Sequence, residues 1–95
     1  MIVRYDAPLI PDDVKWSLSS FERTKSWRLW HTPSGKQTGY MITQDDGVFA
    51  VYALEDTRTT MFDTDLDEYE ITACDTFAEA EDAVWEHNGD LFSVR

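Results

Sequence analysis

The sequence predicts an α+β domain, in which an antiparallel β-sheet carries one α-helix from the C-terminal half of the chain on one face. Two tight turns separate three strand-like runs in residues 26–54, and a strong helix-start signal follows at Thr76. The length of 95 residues fits a single domain, residues 1–95, with one core. A hydrophobic content of 42% argues against disorder despite the high charge.

The middle of the chain is predicted to form a three-stranded meander. Strands are expected at residues 26–32, 37–43 and 48–54, where β-branched and aromatic side chains are frequent. The turn at residues 33–36 reads Pro-Ser-Gly-Lys, in which proline presets φ and glycine permits a positive φ. The turn at residues 45–47 reads Asp-Asp-Gly, and Asp-Gly between two strand-like runs is a strong hairpin signal.

A helix is predicted over residues 77–88. Thr76 and Glu79 have the spacing of a capping box, in which a hydroxyl and a carboxylate satisfy backbone donors of the first turn. Gly89 suits the left-handed position that ends many helices. The expected buried stripe, flanked by Trp85, consists of Phe77, Ala80 and Val84.

The other elements are predicted from weaker signals. One or two further short strands are expected to extend the sheet, with candidates at residues 1–5, 60–62, 69–74 and 91–94. Residues 6–13 contain two prolines and are expected to be a loop. At the end of that loop, Asp12 and Asp13 are positioned to start a short helix with an apolar side formed by Val14, Leu18 and Phe21.

The charge is divided unevenly along the chain. The whole chain has 19 acidic and 8 basic residues, a formal net charge of −11. Residues 1–47 contain six acids and six bases, so residues 48–95 carry the entire excess, with Arg58 and Arg95 as their only bases. Because self-repulsion of this kind destabilises a compact state, the asymmetry is the best functional clue in the sequence.

An acidic surface favours basic partners and disfavours direct binding to nucleic acid, whose phosphates it would repel. No stretch approaches the length of a membrane span, and the first residues lack the pattern of a secretory signal. One cysteine excludes an internal disulfide framework. We therefore expect a cytoplasmic protein without membrane contact, existing as a monomer or homodimer.

The acid-rich segment 63–70 is the first candidate for partner binding. Its opening resembles an EF-hand loop, but Glu68 and Cys74 stand where that loop needs glycine and a bidentate glutamate. As an extended segment it would present one line of carboxylates on each side, from Asp63, Asp65 and Asp67 on one and from Glu68 and Glu70 on the other. Such a line can recognise a partner, protect a sheet edge against aggregation or stay solvated, and a looser cluster of its oxygens could hold a divalent cation.

The predicted helix adds a second acidic line. Glu79, Asp82 and Glu86 fall within about 60° of one another on the face opposite the buried stripe. No basic residue stands three or four positions away, although such pairs stabilise most surface helices. The ridge is therefore either a partner-facing surface or a solvated face. Glu81 lies at the edge of the stripe and is expected to reach its rim.

No catalytic motif, phosphate-binding loop or cofactor signature is present, so no enzyme activity and no cofactor are predicted. His31, His87 and Cys74 are too widely spaced for a zinc signature. Trp27 and Trp30 point to opposite faces of a regular strand, so one is core. Trp30, if exposed, is a binding hot-spot candidate.

These observations favour a non-enzymatic acidic binding protein that occupies the basic nucleic-acid groove of another protein. In size and charge the chain is similar to small acidic inhibitors from phages and mobile elements, including anti-CRISPR, anti-restriction and uracil-glycosylase inhibitor proteins. This likeness is one of composition. The alternatives are a regulatory or scaffold domain that docks by its aromatic residues, halophilic adaptation of an ordinary domain, and a carboxylate enzyme with a divalent ion. The neutral first half argues against solvent adaptation, which should coat the whole surface.

Overall fold

The computed structural model describes residues 5, 7–56 and 66–91, and of residues 54–56 and 66–68 it describes the backbone. One five-stranded antiparallel sheet has its strands in sequence order, β1-β2-β3-β4-β5, and one helix follows. The predicted α+β fold is confirmed. The elements are a 3₁₀ turn (Pro11–Asp13), β1 (Val14–Phe21), β2 (Thr24–His31), β3 (Lys36–Asp45), β4 (Val48–Asp56), β5 (Leu66–Cys74) and α1 (Phe77–Leu91).

Tight turns set the register of the sheet, as the sequence predicts. Asp46 and Gly47 both adopt positive φ, 55° and 79°, between β3 and β4. Two consecutive left-handed residues give the turn a twist that matches the strands it joins. The Asp45–Val48 pair therefore closes a regular hairpin in which Ile42 lies opposite Val51.

An irregularity interrupts the pairing of β2 with β3. Arg28 pairs with Met41 but Trp30 pairs with Gln37, so three residues of β3 face Leu29. Gly39 takes a φ of 95° there, a value that side chains disfavour. The buried Thr38 hydroxyl bonds two backbone groups at this irregularity. It donates to the Leu29 carbonyl at 2.9 Å and accepts from the Tyr40 N–H at 3.3 Å.

The core lies between the sheet and α1. Leu29, Ile42, Val51 and Val84 are its largest fully buried side chains, contributed by three strands and the helix. Near the start of the helix an aromatic group closes the core, formed by Trp16, Trp27, Phe49 and Phe77. The predicted stripe is confirmed, because Ala80 and Val84 are fully buried and Phe77 packs against the core.

The short helix predicted after Asp12 and Asp13 is wrong. Those residues form part of a single 3₁₀ turn, and β1 follows at once. Every residue of β1 pairs with β2, from Val14 with His31 to Phe21 with Thr24. Val14, Leu18 and Phe21 have helical spacing, but that spacing does not decide the structure of this segment. The segment is rich in serine, a poor helix former, and its backbone groups bond to β2 instead.

The helix also runs further than predicted. Gly89 lies within α1, which continues to Leu91, so the predicted C-terminal cap at Gly89 is wrong. Buried Asn88 holds this last turn, since its Oδ1 accepts the Leu9 N–H at 3.1 Å. The predicted strand at 91–94 is wrong at Leu91, and its other residues lie outside the described part of the chain.

Two other predicted strands fall wholly or mostly outside the described residues. Residues 60–62 lie outside it, as do the first four of residues 1–5. Tyr5 is not in a strand, although its N–H donates to the Gln37 carbonyl and its ring stacks on His31 at 3.7 Å. The strand predicted at residues 69–74 is confirmed as the second part of β5, which begins at Leu66.

Candidate protein interface

The order of the strands turns the uneven charge of the sequence into an uneven charge in space. Because β1 and β5 are the outer strands of the described sheet, the strands from the neutral first half of the sequence and those from its acidic second half lie on opposite sides of the sheet. The described bases lie in β1, β2, β3 and the first turn, at Lys15, Arg23, Lys25, Arg28 and Lys36. In contrast, β4, β5 and α1 contain no Lys or Arg at all.

An open groove of about 460 Å³ runs between α1 and β5. Its floor is formed by small or apolar side chains and its helical rim by carboxylates. We call it the acidic groove; it is lined by Ile71, Thr72, Cys74, Glu79, Asp82, Ala83, Glu86, His87 and Asp90. The four carboxylates, on Glu79, Asp82, Glu86 and Asp90, are all exposed. No Lys or Arg lines the groove, and none forms an ion pair with these four in the described part of the chain.

The start of the helix is fixed by a side-chain cap. The Thr76 hydroxyl accepts the Glu79 N–H at 3.2 Å and donates to Glu79 Oε1 at the same distance. The predicted capping box is therefore half present. The Thr76 hydroxyl accepts a backbone N–H as predicted, but the Glu79 carboxylate accepts a hydrogen bond from that hydroxyl instead of from a backbone N–H. Glu79 also lies in the first turn, where the helix dipole favours a negative charge.

Glu81 connects the helix to β1, the outer strand farthest from the acidic groove. Its Oε2 accepts the indole N–H of Trp16 at 2.7 Å, and both residues are half-buried. A charged acceptor shortens and strengthens such a bond. Glu81 thus reaches the rim of the core as expected, where it has a definite partner on β1. The bond holds the helix over the sheet and leaves the other side of α1 to form the groove.

His87 anchors the other end of the groove between two tyrosines. Its Nδ1 lies 2.7 Å from the hydroxyl of buried Tyr40, and its Nε2 lies 3.0 Å from the hydroxyl of Tyr69. A neutral imidazole has one donor and one acceptor nitrogen, so it can bond both hydroxyls at once. These bonds join the last turns of α1 to β3 and β5, which fixes the width of the groove there.

Cys74 lies in the floor of the groove beside the first helical turn. Burial raises the pKa of its thiol, and the carboxylates of Glu79 and Asp75 raise it further. A thiol in such surroundings stays protonated and is a poor nucleophile. Within the described ranges no three His, Cys, Asp or Glu side chains are grouped so that they could hold a metal ion.

The structure brings together three of the predicted partner-binding residues. Glu79, Asp82 and Glu86 line the acidic groove from the helix. Glu70 lies nearby on β5 but pairs with Tyr52, on the face of the sheet away from α1. The backbones of Asp67 and Glu68 lie in the same outer strand, while Asp63 and Asp65 lie outside the described residues.

Trp30 does not join this group. It neighbours fully buried Leu29 in β2, so its side chain points to the sheet face opposite α1, where it is half-buried. The alternation predicted for Trp27 and Trp30 is confirmed. Trp16 packs on the helix side of the sheet against Phe77, so it does not cover Trp30.

Asp90 is a groove residue that the sequence did not predict. It belongs to the ridge because the helix continues through Gly89. A glycine inside a helix costs about 1 kcal/mol relative to alanine, so the sequence alone favoured ending the helix there. Buried Asn88, one residue earlier, provides a compensating contact, because its side chain accepts the N–H of Leu9, a residue distant in the sequence.

Comparison with known proteins yields no relative, since no protein-family model, no curated protein and no solved structure matches the chain. Across residues 5, 7–56 and 66–91, no helix has the length and apolar character needed to cross a membrane.

Proposed function

We propose that this protein is a non-enzymatic acidic binding protein whose acidic groove occupies the basic nucleic-acid-binding surface of a DNA-handling or defence protein. The anti-CRISPR and anti-restriction inhibitors of phages and mobile elements would be functional counterparts. One observation carries the proposal. Four exposed carboxylates follow one side of α1, and β4, β5 and α1 provide no Lys or Arg to neutralise them.

The spacing of these carboxylates suits mimicry of a phosphate backbone. From Glu79 to Asp90 the helix rises by about 16 Å at 1.5 Å per residue. Four negative charges over that length are about 5.5 Å apart on average, which is wider than the roughly 3.4 Å per charge of one DNA strand but of the same order. A basic groove shaped for phosphates would therefore meet a comparable field along α1, and its charges would steer the two proteins together.

The carboxylates are presented on a preorganised element. Ala80 and Val84 anchor the helix in the core, Thr76 caps its start, and His87 is bonded to two strands near its end. A rigid helix loses little conformational entropy when its side chains meet a partner. The ridge has no paired bases within the helix, so its charges are available without first breaking an ion pair.

The test compares two variants that remove the same number of charges. The groove variant carries Glu79→Gln, Asp82→Asn, Glu86→Gln and Asp90→Asn. The control variant carries Asp12→Asn, Glu22→Gln, Asp45→Asn and Asp46→Asn, which are equally exposed but lie away from the groove. Proteins captured from a bacterial lysate on the wild type are identified, and each is then purified and titrated with all three proteins at low and high salt.

We expect a captured protein that binds nucleic acid and that releases a labelled oligonucleotide when the wild type is added. The groove variant should bind it about a hundredfold more weakly, with a flatter salt dependence, while the control variant binds as the wild type does. Equal losses in both variants would contradict the proposal. So would a partner that keeps its oligonucleotide, or a protein without partners whose melting temperature rises steeply in molar salt, as in halophilic adaptation.

A further inference from the structure

The outer edge of β1 differs from an ordinary protected edge. Within the described residues, β2 is the only strand paired with β1, so the other edge of β1 presents free backbone donors and acceptors. Leu18 and Phe21 are 54% and 77% exposed on this strand. Its single charge is Lys15, at the second position. Natural sheets usually protect a long edge with charges, prolines or bulges.

The opposite outer strand has the protection that β1 lacks. β5 contains Asp67, Glu68 and Glu70 and a bulge against β4 between Thr72 and Glu70. β1 is regular along its eight residues and pairs with β2 without a shift. One edge of the sheet is thus protected by acidic residues and a bulge, while the other is regular and nearly uncharged. β1 is therefore the edge suited to pairing with another strand.

Charges at the two ends of β1 select the kind of strand that fits. Asp12 and Asp13 come directly before it, and Arg23 and Lys25 follow its last residue closely. None of these four side chains forms an ion pair within the described ranges. An antiparallel strand with a basic end and an acidic end, in the reverse direction, would satisfy both pairs. β1 of a second copy has those ends.

We infer that two copies of this chain associate by antiparallel pairing of their β1 strands about a two-fold axis at Leu18. Such an axis is perpendicular to the sheet, so side chains on one face of the first copy meet side chains on the same face of the second copy. Two residues that pair across the axis therefore have sequence numbers that differ by an even number. With Leu18 opposite Leu18, Trp16 faces Ser20 and Asp13 lies opposite Arg23 of the second copy. An isologous interface makes every such contact twice.

The same geometry explains how chains with a net charge of −11 can meet. β1 lies at the side of the sheet where bases and acids are mixed, and the acidic groove lies at the far side, along β5. Neighbouring strands of a sheet are about 4.8 Å apart, and β1 and β5 are separated by four such spacings in each copy. The two grooves would therefore be about 40 Å apart, which is several Debye lengths at physiological salt. The paired sheet would present two acidic grooves at its opposite ends.

The experiment is a charge swap followed by sedimentation equilibrium, from micromolar to sub-millimolar protein at physiological salt. Asp13→Arg and Arg23→Asp are made singly and together. Asp45→Arg and Lys36→Asp serve as matched controls, since they make the same charge changes at exposed positions away from the β1 edge. Far-ultraviolet circular dichroism reports whether each variant is folded.

We expect a wild-type dimer whose dissociation constant rises about tenfold or more in each single variant, because each change acts twice across the axis. The double variant should recover the wild-type value, and the controls should keep it. Leu18→Lys, which opposes two like charges at the axis, should abolish the dimer while leaving the monomer folded. A wild type that stays monomeric at every concentration, or folded single variants that dimerise as the wild type does, would overturn the inference.

Discussion

Strands β1–β3 and the unit formed by β4, β5 and α1 share one sheet and one core, yet they differ in the way their charges are arranged. The first region carries both signs of charge, with most of its bases in the strands and most of its acids in the turns, which is the usual surface of a soluble domain. In the second region, the described elements β4, β5 and α1 contain no base. Since both regions must be solvated, solubility alone does not account for the difference. The proposed binding function would account for a surface that is kept acidic against its own repulsion.

Three measurements probe this division, beginning with the contact that joins the two regions. Trp16→Phe keeps a ring against Phe77 but removes the N–H that Glu81 accepts. We expect a loss of about 1–2 kcal/mol in the free energy of unfolding, since the carboxylate keeps some access to water. Trp30→Phe is the matched control, because Trp30 is also half-buried and its side chain takes part in none of the hydrogen bonds of the described residues. Equal losses in urea unfolding would mean that the bond does not join the regions.

A smaller effect of opposite sign is expected on the acidic side. Glu86→Lys places a cation four residues from both Asp82 and Asp90 and near the negative end of the helix dipole. The free energy of unfolding should rise by about 0.5–1 kcal/mol, while binding to the proposed basic partner should weaken. Asp45→Lys makes the same charge change outside α1 and should change neither quantity appreciably. If Glu86→Lys left stability unchanged, the ridge would not be under electrostatic strain.

The smallest effect is a local readout of the groove's negative potential. Because burial and the Glu79 and Asp75 carboxylates raise the pKa of Cys74, its alkylation by iodoacetamide should need a higher pH than alkylation of a free thiol. Glu79→Gln with Asp75→Asn should lower the pKa and speed alkylation at a fixed pH, since less repulsion opposes the thiolate. Glu22→Gln with Asp46→Asn should leave the pH profile unchanged. Identical profiles for both pairs would show that the carboxylates do not act on the thiol.

Features set by neighbouring residues could be predicted from the sequence. The Asp-Gly turn between β3 and β4 requires left-handed residues, and Asp46 and Gly47 take that conformation. The cap at Thr76 depends on a residue three positions away, and it is present. The acidic ridge of Glu79, Asp82 and Glu86 follows from helical periodicity once the helix is placed. These predictions succeed because turn, cap and ridge are local.

The predictions from the sequence fail where contacts between residues distant in the sequence determine the local structure. Val14, Leu18 and Phe21 have helical spacing, yet pairing with β2 makes them a strand. The sequence predicts that the helix ends at Gly89, yet α1 continues to Leu91, and the bond of buried Asn88 to distant Leu9 supports these last residues. Asp90 therefore joined the groove unpredicted. Trp30 and the acidic residues are separated by the sheet itself, which no spacing in the sequence shows.

The sequence by itself determined the turns, the strands of the meander, the start of the helix and the excess of acid in the second half, because each depends on composition or on residues a few positions apart. The tertiary structure decided where that acid lies. Strands paired in sequence order put the mixed charges at β1 and the carboxylates at β5, and a helix crossing the sheet left a groove beside them. The physical reason is that burial of one shared core orients all these elements together, and the placement of surface charge follows from that packing.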